Sequence, residues 1–153
     1  MQKSFDEVLN YLQGLGRRRT AISRAALGYE GSGQYPVLVV EPDPFCGESS
    51  PGLMNYDFAF LVLNREADEN GVYQRRDPAQ EPALLAQTGQ WCDELIEMLR
   101  HENPGDLAKG TYNRAALTQH GTDLATGWRV EFRLQVAQNI DRRANADLFA
   151  PAE

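Results

Sequence analysis

Histidine and cysteine are scarce in this chain, with two of each among 153 residues. Cys46 and Cys92 are too few for a disulfide framework, and a reducing compartment fits them. No Cys or His spacing suits zinc. His101 and His120 carry no catalytic signature that would turn Cys46 into a nucleophile. Basic charge is also in deficit: 15 Lys and Arg stand against 22 Asp and Glu, a net charge of -7. That balance argues against a nucleic-acid module, which wants a basic face for phosphates, and against adhesion to an anionic membrane. No apolar run approaches the roughly 18 residues of a membrane span. The opening Met-Gln-Lys-Ser-Phe-Asp-Glu lacks the apolar core of a signal peptide, so a cytoplasmic location is expected. The glycine-rich stretch 28–33 has no Gly-Lys-Ser/Thr, which leaves a phosphate-cradling loop without its key residues.

Alternating hydrophobicity is what the chain does have. Trp128, Val130, Phe132, Leu134 and Val136 interleave with Arg129, Glu131, Arg133 and Gln135. A strand sends successive side chains to opposite faces, so one face here suits a core and the other suits water or a partner. In Leu53–Asn64, Tyr56, Phe58, Phe60 and Val62 share one face, while Ala59, Leu61 and Leu63 share the other. Both faces being apolar, this strand belongs in the middle of a sheet with cover on each side. Tyr35–Val40 reads as a short apolar strand, and residues 110–119 as a less clearly patterned one. Residues 41–51, with three prolines, read as loop. Residues 20–28 fit either a short helix or a strand.

Two helices accompany the strands. Phe5, Val8, Leu9, Leu12 and Leu15 recur at helical spacing after Ser4, which with Glu7 predicts a capping box; Gly14 and Gly16 are expected to end this helix. Pro82 opens a longer one, where a missing amide costs least. Its stripe is Leu84, Leu85, Thr88, Trp91, Cys92, Leu95, Ile96 and Leu99. Each apolar member contributes about 1.5–3 kcal/mol when fully buried, enough in sum to dock the helix on a sheet. The prediction is an α+β fold of order α-β-β-α-β-β. Its sheet is mainly antiparallel, with amphipathic helices on one face. Residues 1–140 form a single domain, followed by a polar tail over 141–153.

Candidate chemistry is thin. Glu66, Asp68, Asn70 and Gly71, with Asp77 twelfth, partly match a calcium loop. The first ligand is normally Asp, the closing one normally Glu, and the flank here is a strand. A solvated acidic hairpin tip around Asn70-Gly71 is the simpler reading. Glu41, Asp43 and Asp57 flank strand ends and would serve as an acid/base pair only if brought together. His120 and Asp123 are close enough in sequence to pair. Cys92, Trp91 and Trp128 lie on apolar faces and read as packing residues. Arg17-Arg18-Arg19 reads as dipole-compensating charge at a helix end, or as a patch for an acidic partner. Neither a cofactor nor a metal is expected, and a catalytic role is not.

This order of elements resembles the tail-terminator and tail-completion group of long-tailed phages and prophages. Thr122-Asp-Leu-Ala-Thr-Gly-Trp-Arg-Val-Glu-Phe-Arg-Leu-Gln-Val136 is similar to the closing segment of short prophage tail-region proteins, where an acidic-small-Gly-Trp turn leads into an alternating strand. The segment 65–81 has no counterpart in that pattern. The resemblance implies a non-enzymatic structural protein that forms a ring of its own copies, commonly hexameric. It would bind tail-tube or head-completion proteins in a bacterial host's cytoplasm or in a virion. In such a ring, Arg17, Arg18 and Arg19, or the row Arg129, Glu131 and Arg133, would meet the neighbour's acidic surface. Complementary charge there sets register more than affinity. The alternative is a small-molecule-binding or regulatory α+β domain, with an apolar pocket between sheet and helix.

Overall fold

The computed structural model describes residues 1, 3–28, 34–65, 78–120, 124–138 and 148–150. Along them run α1 (Phe5–Arg18), β1 (Arg24–Leu27), β2 (Val37–Val40), β3 (Phe45–Ser50) and β4 (Leu53–Asn64), then a 3-10 turn (Pro78–Gln80), α2 (Glu81–Glu102), β5 (Leu107–His120) and β6 (Ala125–Ala137). The fold is α+β. A six-stranded sheet has the order β1-β2-β4-β6-β5, with β3 pairing β4 off that path. Only β1 and β2 run parallel among the paired strands described.

β4 is central because both of its faces are apolar from Phe58 to Leu63, all buried. β6 pairs with it along its whole length, from Leu53↔Ala137 to Asn64↔Thr126. A strand has two edges, so β2 and β3 share the other. β2 takes Phe60–Leu63 and β3 takes Leu53–Asp57. The expected loop at 41–51 is therefore corrected: it contains a strand. β3 escaped a reading based on apolar alternation because all six of its residues are exposed. What holds it is the hairpin to β4, closed by Pro51-Gly52 with Gly52 at φ 86°, the proline-then-positive-φ pairing that a type II turn favours. Residues 24–27, left open between helix and strand, are strand.

Both helices cover the same face of the sheet, termed the inner face. Val8, Leu9, Leu12 and Leu15 of α1 and Trp91, Cys92, Leu95, Ile96 and Leu99 of α2 close over Leu38, Val40, Phe58, Phe60, Val62, Val130, Phe132, Leu134 and Val136. Phe5 stacks on Tyr56 and Phe58, and Phe60 meets Phe132 edge-on, geometries that add to plain burial. Two local expectations at α1 fail. Ser4 occupies the N-cap but makes no capping bond; its hydroxyl donates to Asp6 at 2.8 Å. Gly16 does not end the helix, which runs to Arg18. It lets α1 settle on β2, since a Cβ there would sit 3.1 Å from Leu38. Gly127 is a stronger requirement: a Cβ would lie 1.8 Å from the Val62 carbonyl oxygen.

Candidate functional site

The outer face of the sheet, away from the helices, divides into two zones. Val37, Val39, Leu61, Leu63 and Ala125 form a small buried cluster with Tyr35 and Leu117 against it. Beyond it lie charges at alternate positions of β4 and β6. Asp57 stands opposite Arg133, Ala59 opposite Glu131 and Leu61 opposite Arg129. Arg133 grips Asp57 through Nε at 2.7 Å and Nη2 at 3.3 Å. Arg129 grips Glu41 with two bonds of 2.9 Å, and its Nη1 reaches Glu131 at 3.0 Å. The Arg129 guanidinium holds the Glu41 carboxyl below the usual range, and His120 adds to the effect. Glu41 and Asp57, considered above as an acid/base pair, are thus counter-ions of two different arginines. Asp57 is internal to β4 and not at its end; Asp43 is exposed.

The arginine cluster of α1 lies elsewhere. Arg18 donates to Glu102 at 2.7 Å and Arg19 to Glu94 at 2.6 Å, so both tie α1 to α2. Tyr11 donates to the same Glu102 oxygen and accepts from Asn103, each at 2.8 Å. Burial and this carboxylate push the Tyr11 phenol up to about 12. Arg17 is exposed. The six residues singled out from sequence therefore belong to two surfaces: Arg17, Arg18 and Arg19 on the helix layer, and Arg129, Glu131 and Arg133 on the outer sheet face.

The sheet ends in edges of unequal character. β5 is one, fourteen residues long. Its pairing to β6 is interrupted between Leu107 and Tyr112. Lys109 and Gly110 there have φ of 56° and 65°, and Arg100 of α2 clamps the Gly110 carbonyl with bonds of 2.9 and 2.6 Å. From Tyr112 to Leu117 the pairing is regular, and Asn113–Ala116 are exposed. On the opposite side of the sheet the edge is split between β1 and β3. The Arg24 amide bonds to the Pro36 carbonyl just before β2 and the Gly28 amide to Val40, so alternation turns the Ala25 carbonyl outward, where Gln13 of α1 caps it at 3.0 Å. β3 has no such cap among the described residues and is exposed throughout.

One cluster that sequence did not reveal locks α2 to β5 and β6. Trp128 Nε1 donates to the Leu85 carbonyl at 2.8 Å. Arg114 lies 4.5 Å over the Trp128 ring, donates to the Gly89 carbonyl at 2.6 Å and pairs with Asp93 at 3.3 Å. Tyr112 also donates to Asp93. A Cβ on Gly89 would meet Arg114 Nη1 at 2.6 Å. The glycine inside an otherwise good helix was the available clue, because such a residue usually marks a close approach.

The remaining candidates separate. Cys92 is buried, and burial pushes its thiol up to about 12, the opposite of what a nucleophile needs. Cys46 is exposed on β3 opposite Tyr56. His101 lies in the last turn of α2 and His120 ends β5. The calcium-loop candidate at 66–77, with Asn70-Gly71, and Asp123 lie outside the described residues. Among the described residues no group of three or more His, Cys, Asp or Glu side chains could hold a metal ion. Hollows occur on the exposed side of α2, about 560 Å³ beside Asp93, Glu97 and His101, and on the outer sheet face, about 370 Å³ beside Lys109, Asn113, Glu131 and Arg133. Neither lies between helices and sheet, where the core side chains pack. Compared with protein-family models and with curated protein sequences, the chain matches none.

Proposed function

We propose that this protein is a structural component that assembles with copies of itself into a ring and binds other proteins of a phage or prophage tail, in the manner of the tail-terminator and tail-completion proteins that it resembles. The observation that carries this reading is the pair of edges on opposite sides of one sheet that no other described strand pairs, β5 on one and β3 on the other. Unpaired edge amides and carbonyls are a template for another chain. Edges on opposite sides make a head-to-tail contact, which closes into a ring when the rotation permits. The outer face between those edges would then meet tail-tube or head-completion proteins. Its carboxylates support binding over chemistry, since Glu41 and Asp57 are each held by an arginine. A bacterial cytoplasm or a virion is the proposed setting; no helix among the described residues is long and apolar enough to cross a membrane.

Sedimentation of the full chain over a wide concentration range tests the reading. A single discrete oligomer is expected, and a strict monomer at high concentration would overturn it. The second reading, a small-molecule-binding domain, draws on the hollow beside the β5 irregularity, where Lys109 and Arg133 face Asp57 and Glu131. Saturable binding of a small charged ligand by a monomer would favour it.

A further inference from the structure

We infer that the edge of β5 that no other described strand pairs joins, antiparallel, the corresponding edge of β3 in the next copy, so that the sheet continues from copy to copy. This rests on the ring reading above and specifies its contact.

Strand direction is the first argument. Taking β4 as up, antiparallel pairing sets β3 and β6 down, and β5 up again. A copy generated by rotation about an axis along the strands keeps those directions. β5 of one copy then meets β3 of its neighbour in opposite senses, the stronger of the two ladder types. The second argument is which edge is free. β1, the other half of that side, is four residues long and has one of its outward carbonyls, that of Ala25, capped by Gln13. β3 has six exposed residues and pairs with β4 alone among the described strands.

Charge is the third. β5 carries Lys109 and Arg114 and no acidic residue. The stretch 41–50 carries Glu41, Asp43 and Glu48 and no basic one. Arg114 and Glu41 already have partners within one copy, Asp93 and Arg129, so the match rests on Lys109 against Asp43 and Glu48; pairing β5 with β5 of another copy would offer Lys109 only like charge, which is unfavourable across strands. Level with β3 across the sheet lies the irregular start of β5, since Phe45 is opposite Asp57, Asp57 opposite Arg133, and Leu107 opposite Leu134. Bringing the regular run Tyr112–Leu117 to β3 therefore takes a stagger, which a ring supplies when its strands tilt from the rotation axis, as the strands of a closed barrel do.

Facing residues in neighbouring strands share a side of the sheet, and this gives a test by parity. Cys46 and Glu48 are opposite Tyr56 and Met54, on the inner side. Tyr112 and Ala116 are opposite Phe132 and Trp128, also inner, whereas Ala115 and Leu117 are opposite Arg129 and Gly127, outer. Cysteines are placed one at a time in the full chain by Tyr112→Cys, Ala116→Cys, Ala115→Cys or Leu117→Cys. Each is paired with native Cys46 or, in a Cys46→Ser background, with Glu48→Cys. The variants are oxidised mildly and run on a denaturing gel beside a mass measurement of the same sample. The expected result is a ladder of linked chains from at least one inner combination and none from the outer ones, because a disulfide needs Cβ atoms about 3.5–4.5 Å apart. The ladder disappears when Cys46→Ser leaves β3 without a thiol. A discrete oligomer with no inner ladder, with equal outer ladders, or with links between β5 strands alone overturns this contact and leaves the ring standing. A monomer overturns both.

Discussion

The two faces of the sheet are made by the same strands from opposite chemistry. On the inner face Phe58 is wholly buried, stacked with Phe5 and Tyr56 and tilted against Phe132. On the outer face the neighbouring positions of β4 and β6 carry Asp57, Arg129, Glu131 and Arg133, each partly or fully exposed. Burial of apolar area is worth about 25 cal/mol per Å², while an exposed ion pair is worth roughly 0–1 kcal/mol. Stability therefore concentrates on the helix-covered side. Apart from the buried cluster of Val37, Val39, Leu61, Leu63 and Ala125, the charged zone of the outer face and the sheet edges contribute little to holding the monomer together, which leaves their side chains open to selection for contact with other chains.

Substitutions measure that contrast. The largest loss is expected from Gly127→Ala, which strikes both faces because its Cβ would collide with the β4 backbone at Val62. About 4 kcal/mol or more should disappear in chemical denaturation, or the chain should fail to fold. Phe58→Ala attacks the inner face alone and should cost about 3–5 kcal/mol, cavity included. A substitution of equal cost in the charged zone of the outer face, at Arg129, Glu131 or Arg133, would break the comparison.

Alkaline pH reaches the inner face through Cys92. Its thiol is raised from 9 to about 12 by burial. The unfolded chain therefore releases this proton first, and stability that is complete below pH 9 is lost as pH rises toward 12, by up to about 1.4 kcal/mol per unit for this group. Denaturation midpoints of Cys92→Ala should show a shallower decline over that window. The smallest effects belong to the outer ion pairs. Arg133→Ala and Arg129→Ala should each cost no more than about 1 kcal/mol. The Glu41 carboxyl is depressed by Arg129, so its contribution is present above pH 4.5 and fades only as acid protonates the folded form. Thermal melts of Arg129→Ala between pH 3 and pH 7 should lose that small acid dependence.

These contrasts also explain what could be read from the chain. β4 and β6 were legible because the alternation of Trp128 to Val136 and the doubly apolar run Phe58–Leu63 are consequences of burial, and burial is what an apolar pattern encodes. α2 was legible for the same reason at helical spacing. β3 was not, since Phe45–Ser50 is exposed on both faces and its pairing is made by backbone groups that every residue carries. The partners of Arg18, Arg19, Arg129 and Arg133 were hidden too. Glu102, Glu94, Glu41 and Asp57 are 84, 75, 88 and 76 positions away in sequence, and charge spacing along one element says nothing about partners on another. The Gly89 contact with Arg114 and Trp128 left only a helix-interior glycine as its trace.

Amide hydrogen exchange of the full chain, followed from dilute to concentrated protein, tests most directly the claim that packing within one copy holds the core while the β3 and β5 edges are completed by other copies. Protection in α2 and β4 should be high and independent of concentration, because packing within one copy supplies it. Within 112–117 of β5 and 45–50 of β3, the alternate amides that point away from β6 and β4 should exchange fast when dilute and slow together as concentration rises. Unchanged exchange in both segments at every concentration would contradict the account.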